Sequence, residues 1–157
     1  MNGSRGPLGG QLADLVTLFN RQKQDLPERS LHKDCVFRLN GRAYHEQLGR
    51  PPTDPLIRLI GCGPAGYRLL VGALRYATGA PELLVHADQL REVMHADRER
   101  TLTARVTLTG RLRHTRETFS AECGLTVTAD QSGSIREIAV TMGDPDVELL
   151  LAARHSA

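Results

Sequence analysis

The chain has 157 residues, 40% of them hydrophobic, which is enough for one domain with one core. Twenty basic and eighteen acidic side chains leave a net charge of +2, without the clustered basic face that marks a nucleic-acid binder. Three cysteines, Cys35, Cys62 and Cys123, are odd in number and widely spaced, and no apolar run reaches membrane-spanning length; this argues against a disulfide framework, a zinc site and a membrane span, and points to reduced thiols in a cytoplasm.

In chain order, residues 1–10 read as a flexible Gly-rich lead-in with no apolar signal-peptide core, and 11–157 as a single domain. Leu12, Leu15, Val16 and Phe19 recur at i, i+3, i+4 and i+7, predicting a helix over 11–23. Pro27 interrupts it, and a short helical turn follows to about Lys33. Asn40-Gly41 between two short extended runs within 35–46 is a strong local hairpin signal. Asp54 and Pro55 can open a short helix carrying Leu56, Leu59 and Ile60. Gly63-Pro64 begins another, with a stripe of Tyr67, Leu70, Val71 and Leu74 that Gly79 closes.

From residue 81 the period changes to two. Residues 83–96 are extended, with a break near Asp88. In 101–114, Leu102, Ala104, Val106, Leu108 and Leu112 fall on one face and Thr103, Arg105, Thr107, Thr109, Arg111 and Arg113 on the other, predicting an antiparallel strand with one wet side. Phe119, Ala121, Cys123, Leu125 and Val127 repeat the alternation, Asp130-Gln131-Ser132-Gly133 turns the chain, and 135–142 is the last strand. Gly110 and Gly124 lie inside strands, where glycine marks a bulge or bend. A terminal helix starts at Asp144-Pro145.

Gly61-Cys62-Gly63-Pro64-Ala65-Gly66 matches the G-x-G-x-x-G dinucleotide fingerprint, with Asp88 near the place of a ribose-binding acid. That reading needs 56–60 as a buried parallel strand, but Arg58 would sit in its middle and no strand–helix alternation follows. The glycines instead punctuate two helices, and neither a nucleotide nor any other cofactor is expected.

The order of helix, short helix, hairpin, helix and long antiparallel strands resembles the nuclear transport factor 2-like superfamily over residues 11–143. The strand texture T-A-R-V-T-L-T-G and the S-G-S-I-R-E-I turn and strand carry the resemblance. That group includes SnoaL-like polyketide cyclases, ketosteroid isomerases and limonene epoxide hydrolases. The resemblance implies an α+β fold: a curved antiparallel sheet of four to six strands packed against three N-terminal helices, forming a cone with an internal apolar pocket. It also implies small, oxygenated, apolar substrates and a homodimer through the outer sheet face. The family's catalytic sets do not carry over whole. The isomerase base falls near Leu39 and its tyrosine near Leu15; the hydrolase's last aspartate falls near Thr141, although Asn40 matches its water-holding asparagine; Asp88 is nearest to the cyclase acid/base.

From the residues themselves, His86 and Asp88 share one strand face, and a carboxylate beside an imidazole makes a general base. Tyr44 can donate to a developing oxyanion. Arg38 and Asn40 share a face and can hold a carboxylate or a water. Each set has an ordinary structural reading beside it: a solvated strand end, a polar hairpin and a surface ladder, respectively. Phe19, Tyr67, Leu108 and Met142 are expected to line the substrate pocket, with no metal site. Two functions follow. One is a cofactor-independent cyclase, isomerase or hydrolase for a polyketide-like or terpenoid-like intermediate. The other is a non-catalytic binding or dimerisation module.

Overall fold

In a computed structural model of the chain, which describes residues 7–21, 31–43, 62–113, 115–143 and 145, the first element is helix α1 (Pro7–Asn20). It begins four residues ahead of the predicted start. Proline is tolerated in a first helical turn, and Leu8 extends the apolar stripe of Leu12, Leu15 and Phe19, all four buried. The short helix at Pro55–Ile60, the chain at 22–30 and the terminal helix beyond Pro145 lie outside the described residues. Residues 31–34 form a bend and turn.

Strands β1 (Val36–Leu39) and β2 (Arg42–Ala43) make the expected hairpin around Asn40-Gly41, both with positive φ (52 and 82°), as a two-residue turn between twisted strands requires. Helix α2 (Gly63–Ala77) starts at the Gly-Pro pair, with the preceding Cys62 extended. The glycine signature serves the chain's own packing. Gly63 has φ +63, its N–H donates to the Cys35 carbonyl at 2.9 Å, and a Cβ there would stand 2.5 Å from the Lys33 carbonyl oxygen. Only glycine fits this approach.

Gly79 does not end α2. The helix runs directly into β3 (Thr78–Val85), and Thr78 closes it in an extended conformation: its N–H and hydroxyl both donate to the Leu74 carbonyl, satisfying an end that a left-handed glycine would otherwise cap. A 3-10 turn (Ala87–Gln89) and β4 (Arg91–Met94) follow, then the long strands β5 (Arg100–Leu112), β6 (Thr118–Ala129) and β7 (Ile135–Met142).

The sheet is curved and unclosed, in the order β2-β1-β7-β6-β5-β3, with β4 also pairing β5. Six strands follow this path, within the expected range, and β4 lies off it because the 83–96 run splits at the 3-10 turn into β3 and β4. All pairs are antiparallel except β1 with β7, which is parallel and joins the N-terminal hairpin to the last strand. Gly124 pairs regularly with Arg105 and Thr141, so it marks no bulge; the register shifts fall in β3, opposite Gly110, and between Thr128 and Ala129 of β6.

The alternation read from 101–127 is the alternation observed. The concave side buries Leu102, Ala104, Val106, Leu108 and Leu112 of β5 with Phe119, Ala121, Cys123, Leu125 and Val127 of β6 against α1 and α2. Each large apolar side chain so buried contributes about 1.5–3 kcal/mol. Two asparagines finish exposed strand backbone. The Asn20 amide accepts from the Leu83 N–H (2.7 Å) and donates to the Leu83 carbonyl (2.9 Å), while the Asn40 amide does the same with Met142 at 2.8 and 3.0 Å. Each side chain stands in for a missing strand.

Candidate functional site

Four of the residues expected to line a pocket come together on the concave side. Phe19 of α1, Tyr67 of α2 and Leu108 of β5 belong to one buried apolar cluster, and Met142 of β7 packs against it. Their meeting follows from two periods: helical spacing aims Phe19 and Tyr67 down, and strand alternation aims Leu108 and Met142 up.

Tyr67 is the polar member of this group. It is 7% exposed, and its hydroxyl is buried without a hydrogen-bond partner among the described residues. Burial pushes its pKa up to about 12, against a smaller lowering by the Arg75 charge. The phenol is therefore neutral at ordinary pH and offers a proton to an acceptor. An unsatisfied buried hydroxyl costs about 1–3 kcal/mol, so the position is one that a bound acceptor would relieve.

A second concave group was not foreseen from the sequence. Glu92 of β4 pairs with the inward residue Leu102, and its side chain is 6% exposed. One carboxylate oxygen accepts the Gly9 N–H in the first turn of α1 (2.9 Å), the other the Arg100 guanidinium (2.8 Å). Buried charge survives when paired and hydrogen-bonded, and the helix N-terminus adds favourable dipole. With both oxygens occupied, Glu92 works as a clamp between α1 and the sheet. The signal was present in the sequence: Leu90, Glu92 and Met94 are in phase, so the acid occupies an apolar-phase position.

The other expected residues lie elsewhere. The break at 87–89 is a 3-10 turn, so the two-residue spacing of His86 and Asp88 no longer sets a shared face, and Asp88 is exposed. His86 turns to the convex side, where its Nε2 is 2.7 Å from the Thr107 hydroxyl and 3.5 Å from Glu122. The Thr107 hydroxyl donates to Glu122 at 2.7 Å, so the His86 Nε2 proton points to Thr107. Arg38 faces the convex side too, ion-paired with Glu137, and the Asn40 amide is committed to Met142. Arg38 and Asn40 thus stabilise the β1–β7 junction, in place of the substrate-holding role read from the sequence. Tyr44 lies outside the described residues.

Cys123 is a buried core residue, as its alternation implies, and burial pushes the Cys35 thiol up to about 12, with Cys62 and Glu137 adding to the effect. Neither thiol is disposed to act as a nucleophile. Among the described residues no three metal-ligating side chains converge, and no helix is long and apolar enough to cross a membrane. A cavity of about 630 Å³ opens on the convex side, over the junction of β3, β5 and β6.

No protein-family model matches the sequence, and no curated protein matches it. Solved structures do match in fold. A pinacolase from Penicillium brevicompactum aligns over 99% of this chain and 95% of its own at 14% identity and a TM-score of 0.64. A steroid delta-isomerase from Pseudomonas aeruginosa aligns over 97% and 91% at 15% identity and a TM-score of 0.58. An NTF2-like protein of unknown function from an Exiguobacterium species aligns over 85% and 98% at 14% identity and a TM-score of 0.58.

Proposed function

From the premise that the chain has the nuclear transport factor 2-like fold, we propose that it is a cofactor-independent cytoplasmic enzyme of the cyclase, isomerase or hydrolase class. Its substrate is a small, apolar, oxygenated molecule of polyketide-like or terpenoid-like type, held on the concave side. The observation that carries this reading is the buried, unpartnered Tyr67 hydroxyl amid apolar side chains. The solved neighbours include enzymes of this kind, such as the steroid isomerase.

Tyr67 donates its hydrogen bond to a carbonyl or epoxide oxygen and strengthens it as negative charge develops there, in surroundings of low dielectric. Phe19, Leu108 and Met142 hold the carbon skeleton in a reactive shape, which can remove several kcal/mol from a barrier, to order of magnitude. Tyr44 is assigned as a second donor. His86 and Asp88 are given no part in the chemistry, since one faces the convex side and the other solvent.

The second reading, a non-catalytic binding or dimerisation module, draws on Glu92: this inward carboxylate is engaged on both oxygens, by the Gly9 N–H and the Arg100 guanidinium, in holding α1 to the sheet. Two copies would meet across the convex face around Arg105, which lies opposite the side-chain-free Gly124.

Tyr67→Phe separates the readings. Removing an unpartnered buried hydroxyl should leave the thermal midpoint unchanged or raise it, by up to about 1–3 kcal/mol of stability. The same change should weaken binding of neutral ketones and epoxides and abolish turnover by any that the wild type converts. Loss of stability in Tyr67→Phe, or undiminished ketone and epoxide binding, refutes the assignment; binding that depends on Tyr67 without turnover favours the module.

A further inference from the structure

The convex cavity lies where β3 leaves regular pairing. Gly79 pairs with Arg111 and Glu82 with Thr109, so Ala80 and Pro81 together face Gly110. Such a bulge takes backbone groups out of the ladder and re-aims the side chains beside it. Ala80 has φ 49, a conformation that non-glycine residues rarely adopt and that concentrates at functional positions. The floor is largely backbone, because Gly79 and Gly110 bring no side chains, and a Cβ on Gly110 would stand 3.4 Å from the Gly79 carbonyl oxygen.

Arg111, Glu82, Thr109, Thr118 and Ser120 stand around this floor. Some polar neighbours on the convex face satisfy one another: Arg38 with Glu137, and His86 with Thr107 and Glu122. Around the cavity they do not. Arg111 and Glu82 carry opposite charges on adjacent strands, yet form no ion pair with each other or with another described residue. The hydroxyls of Thr109, Thr118 and Ser120 also have no partner among the described residues. Five exposed polar groups without a protein partner among the described residues thus rim an open groove of about 630 Å³, within the span of about 300–1,000 Å³ common to small-molecule sites.

We propose that this groove binds a small zwitterion of amino-acid or short-peptide type, with its carboxylate on Arg111 and its ammonium on Glu82. The planar guanidinium matches a carboxylate in two parallel hydrogen bonds, and the Glu82 carboxylate accepts from the ammonium. The three hydroxyls, able both to donate and to accept, take the peptide groups between the two charges. The groove occupies one corner of the convex face and shares only Phe119 with the buried apolar cluster, and none of Phe19, Tyr67, Leu108 and Met142, so it stands or falls independently of the Tyr67 reading.

A titration with the dipeptide alanyl-alanine, followed by amide chemical shifts, tests it. Saturable shifts are expected at residues 79, 80, 82, 109–111 and 118–120. Acetylating the dipeptide's amine or amidating its carboxyl should each weaken binding about tenfold or more, the effect of losing one charge-assisted contact. Arg111→Gln should remove the preference for the free carboxylate, and Glu82→Gln the preference for the free amine. Both side chains are exposed, so unchanged thermal midpoints verify the fold of the variants. Absence of saturation, shifts centred elsewhere, or capped dipeptides that bind as tightly as the free one overturn the proposal.

Discussion

Along β5, Leu102, Ala104, Val106, Leu108 and Leu112 are buried, and between them Thr103, Arg105 and Thr109 are exposed. One strand therefore builds two unlike regions. The concave region rests on apolar burial, and its few polar groups are individually consequential: Glu92 is clamped on both oxygens and Tyr67 has no partner among the described residues. The convex region rests on many small polar contacts shared among neighbours in water, such as His86 with Thr107 and Glu122. A polar group carries a large free-energy consequence where water cannot replace its partner, and a small one where it can.

Adjacent positions of β5 give the sharpest test of that contrast. Leu102, fully buried, should cost about 2–5 kcal/mol on change to alanine, whereas Thr103→Ala next to it should stay within about 0.5 kcal/mol, both read from urea denaturation. Comparable losses would break the comparison at its root.

Asn20→Ala comes next, since it strips both bonds from the Leu83 edge. A loss of about 1–3 kcal/mol is expected, together with concentration-dependent oligomers in light scattering, as an uncovered edge near the exposed Leu84 becomes available for strand pairing. A strictly monomeric or unaltered assembly state would show that this edge is guarded by something else. On the convex side, Thr107→Val should shift stability by less than about 1 kcal/mol, and by less again in high salt.

The pH limits report on the two kinds of environment separately. Cys35 and Tyr67 have folded pKa values raised to about 12, above the ordinary thiol and phenol values of about 8.5 and 10. Their contribution is complete below those ordinary values and is lost as pH rises toward 12, because only the unfolded chain ionises freely. Tyr67→Phe and Cys35→Ala should each flatten the alkaline limb of a midpoint-versus-pH curve.

Asp130, in the β6–β7 turn, is held well below the usual carboxylate range by the Ser132 hydroxyl, then Arg136 and the Ser134 and Ser132 amides, against a raising effect of desolvation. Its contribution is present above about pH 4 and fades as pH falls below that. Asp130→Asn should reduce the acid limb by the smallest amount in this series. An alkaline limb unmoved by either interior substitution would mean that these groups are hydrated in the folded chain.

Several features follow from local chemistry alone and were legible in the sequence. Period-two alternation assigned the faces of β5 and β6, Asn40-Gly41 set a two-residue hairpin, and Gly63-Pro64 started a helix. Each depends on residues within a few positions of one another. The resemblance in element order supplied the curved sheet and the helices above it.

Tertiary structure alone decided the parallel β1–β7 pairing, the inward clamp of Glu92 and the convex placement of His86, along with the partners of Arg38 and Asn40. Side-chain periodicity specifies a face relative to its own strand and ceases to apply at a turn such as Ala87–Gln89. The partner across the sheet can come from residues 102 positions away, as with Asn40 and Met142, and no local pattern encodes it.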